Sequence, residues 1–90
     1  EWPVERLRPH DESRLMFGEP EESIAYDTML ESVRKNGILE PLVARADGTL
    51  LAGHLRLSCA KRSGITRVPV RILPPFDQYQ DEVVFVVRSN

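Results

Sequence analysis

The chain has 90 residues, enough for one domain with a thin core, and a net charge of −2 at pH 7. Its 41% of hydrophobic and 29% of charged residues exclude a disordered tail and indicate an ordinary globular protein. The near-neutral charge excludes a basic field over the whole domain of the kind that binds nucleic acid, and the single Cys59 excludes an internal disulfide. No apolar run is long enough to span a membrane, so we expect a cytoplasmic protein without membrane contact.

The N-terminal quarter predicts a short strand followed by a polar loop. In the stretch from Trp2 to Leu7 we expect Trp2, Val4 and Leu7 to face a core while Arg6 and Arg8 face water, and Pro9 ends this stretch. Residues 10–22 are polar and acidic with no regular period, which predicts a loop and an exposed His10.

The next stretch, residues 23–36, predicts a helix. Tyr26, Leu30 and Val33 recur at helical spacing and form one apolar stripe. Gly37 follows as a stop signal, and basic residues occupy the last turn, where they stabilise the helix dipole.

The middle of the chain predicts a β-hairpin. Residues 42–45 and 49–52 are short apolar stretches on either side of Asp47 and Gly48. An Asp-Gly pair readily adopts the positive φ angles of a tight turn.

The C-terminal third predicts a helix, a strand and a last element. The helix covers roughly residues 54–63 and ends at Gly64, and residues 67–72 alternate as a strand. Because Pro69 has no N–H to donate, this strand is expected at a sheet edge. The segment after Asp77 fits a strand or a helix, and its acidic first turn favours the helix.

These elements predict a small α/β domain of the α+β kind, with a mixed sheet, two main helices and a C-terminal element. We expect one domain over residues 1–90. The chain begins without Met and ends inside an apolar segment, so we expect it to be the N-terminal fragment of a longer protein.

The strand-to-helix junction at Gly53 is the strongest candidate for chemistry. The first N–H groups of a helix have no partners within it and attract anions, and a glycine lets the backbone approach a phosphate closely. Arg56 adds a planar donor fork, and His54 adds one donor when neutral. The residues therefore suggest a phosphate or nucleotide site, although the same pattern also occurs in proteins without a ligand.

The stretch "GHLRLSCAKRSGITRVPVRI" resembles the second half of the ParB/sulfiredoxin-like domain, whose ParB form reads approximately G-E-R-R-L-x-A-A-x-x-x-G-x-x-x-V-P-V. The matching positions are Gly53, Arg56, Leu57, Ala60, Gly64, Val68, Pro69 and Val70. In the first half the matching positions are Leu30, Ser32, Gly37, Pro41 and Gly48. The resemblance covers nearly the whole chain and implies the ParB/sulfiredoxin-like fold.

Members of this family include CTP-binding ParB partition proteins, sulfiredoxins, a free-serine kinase and ParB-like nucleases. Sulfiredoxins have a nucleophilic cysteine where this chain has His54, and Cys59 is expected to be buried, so the sequence argues against sulfiredoxin chemistry. The ParB box Gly-Glu-Arg-Arg is reduced here to Gly53 and Arg56, which implies nucleotide binding without efficient CTP turnover.

The resemblance also implies further site residues. Arg14 aligns with a nucleotide-contacting arginine, and Gly37 and Pro41 flank a ligand-facing loop. Asn90 matches a residue that helps to hold Mg²⁺ and phosphate. The serine kinase has a Gly-His-His-Arg form of the box and an early catalytic glutamate, a role that Glu12 or Asp11 would fill here.

The leading functional hypothesis is a regulatory module that binds CTP or ATP/ADP with Mg²⁺. It would belong to a DNA-associated protein of partition, plasmid, phage or transcription systems, with DNA bound by parts outside this chain and with self-association of two copies. The alternatives are a small phosphotransferase with Glu12 as base and a docking domain without a ligand. The sequence does not support a nuclease, because no paired carboxylates stand at a convincing spacing from a histidine or lysine.

Overall fold

The computed structural model describes residues 1–10 and 24–89, which form six short strands and three α-helices. The strands are β1 Trp2–Pro3, β2 Arg8–Pro9, β3 Leu42–Ala44, β4 Thr49–Ala52, β5 Arg67–Val68 and β6 Val70–Ile72. The helices are α1 Ile24–Asn36, α2 His54–Arg62 and α3 Tyr79–Ser89. The predicted mixed α/β fold with two main helices and a C-terminal element is confirmed, and the C-terminal element is a helix.

The prediction of one N-terminal strand over residues 2–7 was wrong. A single 3₁₀ turn, Val4–Arg6, separates β1 from β2, and the Leu7 N–H donates to the Val4 carbonyl at 3.2 Å. The turn is needed because the two strands belong to different sheets: β1 pairs with β5, and β2 pairs with β4. Leu7 is buried, as expected, and the Arg6 guanidinium lies over the Trp2 ring at 4.3 Å.

The main sheet has the strand order β2-β4-β3-β6 and is mixed. The β3–β4 pair is the predicted antiparallel hairpin, whereas β2 runs parallel to β4 and β6 runs parallel to β3. Gly48 in the hairpin turn has a φ of 96°, and a Cβ there would overlap the Arg6 carbonyl oxygen. This glycine therefore lets the hairpin pack against the N-terminal turn.

Pro69 lies where the chain leaves the two-stranded β1–β5 sheet and enters the main sheet. It separates β5 from β6, and its carbonyl accepts a hydrogen bond from the Leu42 N–H at 2.9 Å. The prediction of one strand over residues 67–72 was therefore wrong in part, because Pro69 divides it between two sheets, and β6 lies at the edge of the main sheet as expected.

The core has three parts, two on one face of the main sheet and one on the other. Leu42, Ala44 and Leu50 pack beneath Leu57 and Ala60 of α2. Tyr26, Leu30, Val33 and Cys59 fill the space between α1 and α2. On the opposite face Val43, Leu51 and Ala52 pack under Val86 of α3. In the described part of the chain, no helix has both the length and the apolar character that crossing a membrane requires.

The hairpin turn also contains a carboxylate that its surroundings keep in the charged form. Asp47 Oδ1 accepts the Thr49 N–H at 2.9 Å, and Arg45 Nη2 donates to Asp47 Oδ2 at 3.0 Å. The Thr49 N–H first, with further help from the Thr49 and Arg45 side chains, lowers the pKa of Asp47 from its ordinary 3.8 to about 2.

We expect Asp47→Asn to lower the free energy of unfolding by about 1 kcal/mol at neutral pH, because the side chain is half exposed and the pair is screened by solvent. A carboxyl whose pKa is lower in the folded state than in the unfolded state stabilises the fold at pH values above the unfolded pKa of 3.8. This stabilisation is lost as the pH falls towards 2. When urea unfolding is measured from about pH 6 down to about pH 2, the free energy of unfolding should therefore fall less steeply with pH for Asp47→Asn than for the wild type. The matched control Asp77→Asn, which removes an exposed carboxylate outside the hairpin, should keep the wild-type slope; equal slopes for Asp47→Asn and the wild type would contradict the expectation.

Candidate functional site

The junction between β4 and α2 is built around Gly53. This residue is the N-cap of α2, with φ 97° and ψ 26°, and its carbonyl accepts the first helical hydrogen bond from the Leu57 N–H at 2.8 Å. A Cβ at this position would overlap Leu42 Cδ2 and would lie 3.2 Å from Arg56 Nη2. Gly53 is therefore required both by the backbone conformation and by the lack of space. The predicted direct passage from strand to helix is confirmed.

Arg56 folds back from the first turn of α2 over Gly53. Its Nη1 donates to the carbonyls of Glu40 at 2.9 Å and Pro41 at 3.1 Å, and its side chain is 19% exposed. Towards residues 1–10 and 24–89, Nε and Nη2 of this guanidinium donate no hydrogen bond. The arginine thus ties the loop before β3 to the start of α2 and still has donors for an anion.

The loop before β3, residues 37–41, is the loop that the family resemblance predicts to face the ligand. Gly37 ends α1, where its N–H donates to the Val33 carbonyl at 2.8 Å. The Pro41 carbonyl accepts a hydrogen bond from Arg56 Nη1. The Glu40 side chain is 84% exposed, and its Oε2 lies 3.7 Å from Arg56 Nη1, so its charge offsets part of the arginine charge.

His54, the first residue of α2, is tied to the end of β2. The backbone N–H of His10 donates to His54 Nε2 at 3.3 Å. An accepting Nε2 carries no proton, so the neutral ring has its proton on Nδ1.

His10 is buried, not exposed as the polar sequence around it predicted. Its side chain is 3% exposed, its Nε2 lies 2.8 Å from Glu82 Oε2, and its ring stacks on Tyr79 with centroids 6.0 Å apart. The prediction failed because the partners belong to α3, at the other end of the chain. One feature of the sequence could have indicated that Glu82 is buried: it stands four residues before Val86 and so lies on the same, buried face of α3.

Three of the residues proposed from the sequence, Glu12, Arg14 and Asn90, lie outside the described residues. Cys59 is buried, as predicted, with its Sγ 3.8 Å from the Tyr26 carbonyl oxygen. In the part of the chain that the structure describes, no three His, Cys, Asp or Glu side chains are grouped so that they could hold a metal ion.

Sequence comparison identifies a relative among partition proteins. The chain is 38% identical over 74 residues to the probable plasmid-partitioning protein ParB of Thermus thermophilus, which covers 79% of this chain and 23% of that protein. No protein-family model matches the chain.

Two solved structures share the fold. The Pnob8-like ParB-N domain has a TM-score of 0.75 and 20% identity, over 99% of this chain and 35% of that one. The C-terminally truncated chromosome-partitioning protein ParB from Caulobacter crescentus, complexed with CTP-γ-S, has a TM-score of 0.70 and 25% identity, over 96% of this chain and 49% of that one. The chain spans about a quarter of the length of its Thermus relative.

Proposed function

Because this chain is a ParB-like N-terminal domain, we propose that it binds a nucleotide at the start of α2 as the regulatory module of a larger DNA-associated protein. One observation carries the proposal: the Arg56 guanidinium is held over Gly53 by the carbonyls of Glu40 and Pro41. This arrangement brings a positive charge and a helix N-terminus to the same point.

The chemistry of this point fits a phosphate group. The N-terminal N–H groups of α2 and the helix dipole favour a negative charge. The Arg56 guanidinium lies beside Gly53, and its Nε and Nη2 supply a planar pair of donors. His54, the first residue of α2, lies next to Gly53 in the chain. A phosphate bound here would replace the weak ion pair between Arg56 and the exposed Glu40.

The identity of the nucleotide is part of the proposal. The Caulobacter relative is complexed with CTP-γ-S, which supports CTP as the first ligand to test, with ATP and ADP as alternatives. Arg14, Gly37 and Pro41 would complete the site around the nucleotide. Mg²⁺ would be held mainly by phosphate oxygens and water, with Asn90 as an added ligand.

The arrangement supports binding more than turnover. Leu55 stands where the ParB box has its first arginine, and His54 replaces the acidic residue of that box. Without that arginine the domain has one guanidinium fewer to stabilise the negative charge of the transition state in phosphoryl transfer. Nucleotide occupancy would then regulate self-association or DNA contact by other parts of a cytoplasmic, nucleoid-associated protein.

The proposal is tested by the melting temperature of the wild type with CTP, ATP, ADP or GTP, each with and without Mg²⁺. A ligand at 100 times its dissociation constant adds about 2.7 kcal/mol to the free energy of unfolding, which for a domain of this size raises the melting temperature by about 15 °C. We expect this rise with CTP and Mg²⁺.

The other outcomes separate the alternatives. A rise with ATP or ADP alone would favour the phosphotransferase, in which Glu12 would act as the base. The absence of any rise with all four nucleotides would contradict nucleotide binding and leave a docking domain.

A further inference from the structure

Glu40 contacts Arg56 separately through its backbone and through its side chain. The Glu40 carbonyl accepts a hydrogen bond from Arg56 Nη1 at 2.9 Å, next to the Pro41 carbonyl at 3.1 Å. The carboxylate Oε2 lies 3.7 Å from the same Nη1, which makes an ion pair but is too long for a hydrogen bond. The backbone carbonyls therefore hold the guanidinium in place, and the carboxylate adds a charge.

The fold does not depend on this charge. The Glu40 side chain is 84% exposed, whereas the Arg56 side chain is 19% exposed. Within residues 1–10 and 24–89, Arg56 is the only ion-pair partner of Glu40. Because an ion pair with one partner in solvent contributes little to stability, the carboxylate can be removed without disturbing the loop.

The carboxylate nevertheless acts on an anion bound to Arg56. A phosphate on Nε and Nη2 would lie within about 9 Å of the carboxylate, since the width of the guanidinium and one hydrogen bond add about 5 Å to the ion-pair distance. In about 0.01 M salt the Debye length is about 30 Å, so the repulsion between these two negative groups is not screened. The carboxylate also offsets part of the arginine charge. Both effects weaken the binding of a bare phosphate.

The same carboxylate favours a phosphate that carries Mg²⁺. This ion prefers oxygen ligands, keeps several waters, and neutralises part of the charge on the phosphates that it bridges. The described residues contain no group of three His, Cys, Asp or Glu side chains that could hold a metal ion, so phosphate oxygens and water would supply most of its coordination. A nearby carboxylate then attracts the cation instead of only repelling the phosphate.

We propose that Glu40 is a specificity-determining residue: its carboxylate competes with the ligand phosphate for Arg56 and makes the site select a Mg²⁺–nucleotide complex over the free nucleotide. This inference rests on the proposed function at Gly53 and Arg56. Because the selection comes from charge, it should disappear in about 1 M salt, where the Debye length is about 3 Å.

The test compares Glu40→Gln with Glu5→Gln. The first variant keeps the backbone carbonyl and nearly the shape of the side chain but removes the charge. The second removes an exposed carboxylate from the Val4–Arg6 turn, which packs on Gly48 at the other end of β4. Calorimetric titration with CTP and with ATP, each with Mg²⁺ and with a chelator in its place, gives the affinities in low and in high salt.

We expect the wild type to bind the Mg²⁺ complex more tightly than the free nucleotide in low salt. Glu40→Gln should raise the affinity for the free nucleotide about fivefold, the equivalent of about 1 kcal/mol, and should leave the affinity for the Mg²⁺ complex within about twofold of the wild type. In about 1 M salt the two proteins should show the same preference for Mg²⁺. Glu5→Gln should keep the wild-type preference in both.

The outcomes distinguish this inference from the proposed function. An unchanged preference for Mg²⁺ in Glu40→Gln, or an equal loss of it in Glu5→Gln, would overturn the role of Glu40 while nucleotide binding itself is upheld. Nucleotide binding by Glu40→Gln but not by the wild type would support the competition. If neither protein binds CTP or ATP, the proposed function is wrong and the role of Glu40 is wrong with it.

Discussion

Gly53→Ala is expected to lower the free energy of unfolding by about 3 kcal/mol. A φ of 97° is unfavourable for any residue with a Cβ, at about 1–2 kcal/mol, and the added methyl would overlap the Leu42 side chain in the core. It would also press on Arg56, so nucleotide affinity should fall together with stability. Urea unfolding gives the first quantity, and titration at a temperature where the variant is folded gives the second.

Gly48→Ala is the matched control for this substitution. Gly48 has a similar φ of 96°, and its Cβ would overlap the Arg6 backbone oxygen, so stability should fall at least as much. Since the hairpin turn is at the other end of β4, the folded fraction should bind nucleotide as the wild type does. A Gly53→Ala variant as stable as the wild type, or one that is folded and binds equally well, would contradict the role of Gly53.

Arg56→Ala is expected to weaken nucleotide binding by about 100-fold and to remove most of the ligand-induced rise in melting temperature. Two charge-assisted hydrogen bonds to a phosphate account for a loss of about 3 kcal/mol. Without ligand the variant should lose about 1 kcal/mol of stability, because the Glu40 and Pro41 carbonyls lose the Nη1 donor but remain accessible to water. Calorimetric titration and melting curves measure the two effects.

Arg67→Ala provides the control for charge. It removes the same charge and also a hydrogen bond to a carbonyl, from Nη2 to Glu1 at 2.9 Å, but it lies in the two-stranded sheet. Arg56→Lys should be intermediate, because an ammonium keeps the charge without the planar fork. If Arg67→Ala weakens binding as much as Arg56→Ala does, a general charge effect accounts for the loss and the assignment of Arg56 is wrong.

The order of the elements could be predicted from the sequence because it depends on local signals. The apolar spacing in α1, the Asp-Gly turn and the position of Gly53 each act within a few residues, and all three predictions are confirmed. The N-terminal strand was predicted only in part, because its division into β1 and β2 follows from pairing with distant β5 and β4.

The same distinction applies to the site. Gly53 and Arg56 were proposed as site residues from one short stretch of sequence, whereas the carbonyl partners of Arg56 come from the loop before β3. His10 was misjudged because its partner Glu82 lies on the last helix, and nothing near His10 in the sequence indicates a buried carboxylate. Pairing between polar groups far apart in the chain is set by packing and leaves little trace in either local sequence.

The pairing of Trp2 with Val68 has a consequence for how the molecule is made. During synthesis β1 leaves the ribosome well before β5, so β1 can pair in its sheet only after residues 67–68 have also emerged. As the single tryptophan of the sequence, Trp2 is an intrinsic fluorescent reporter of the step that pairs β1 with β5.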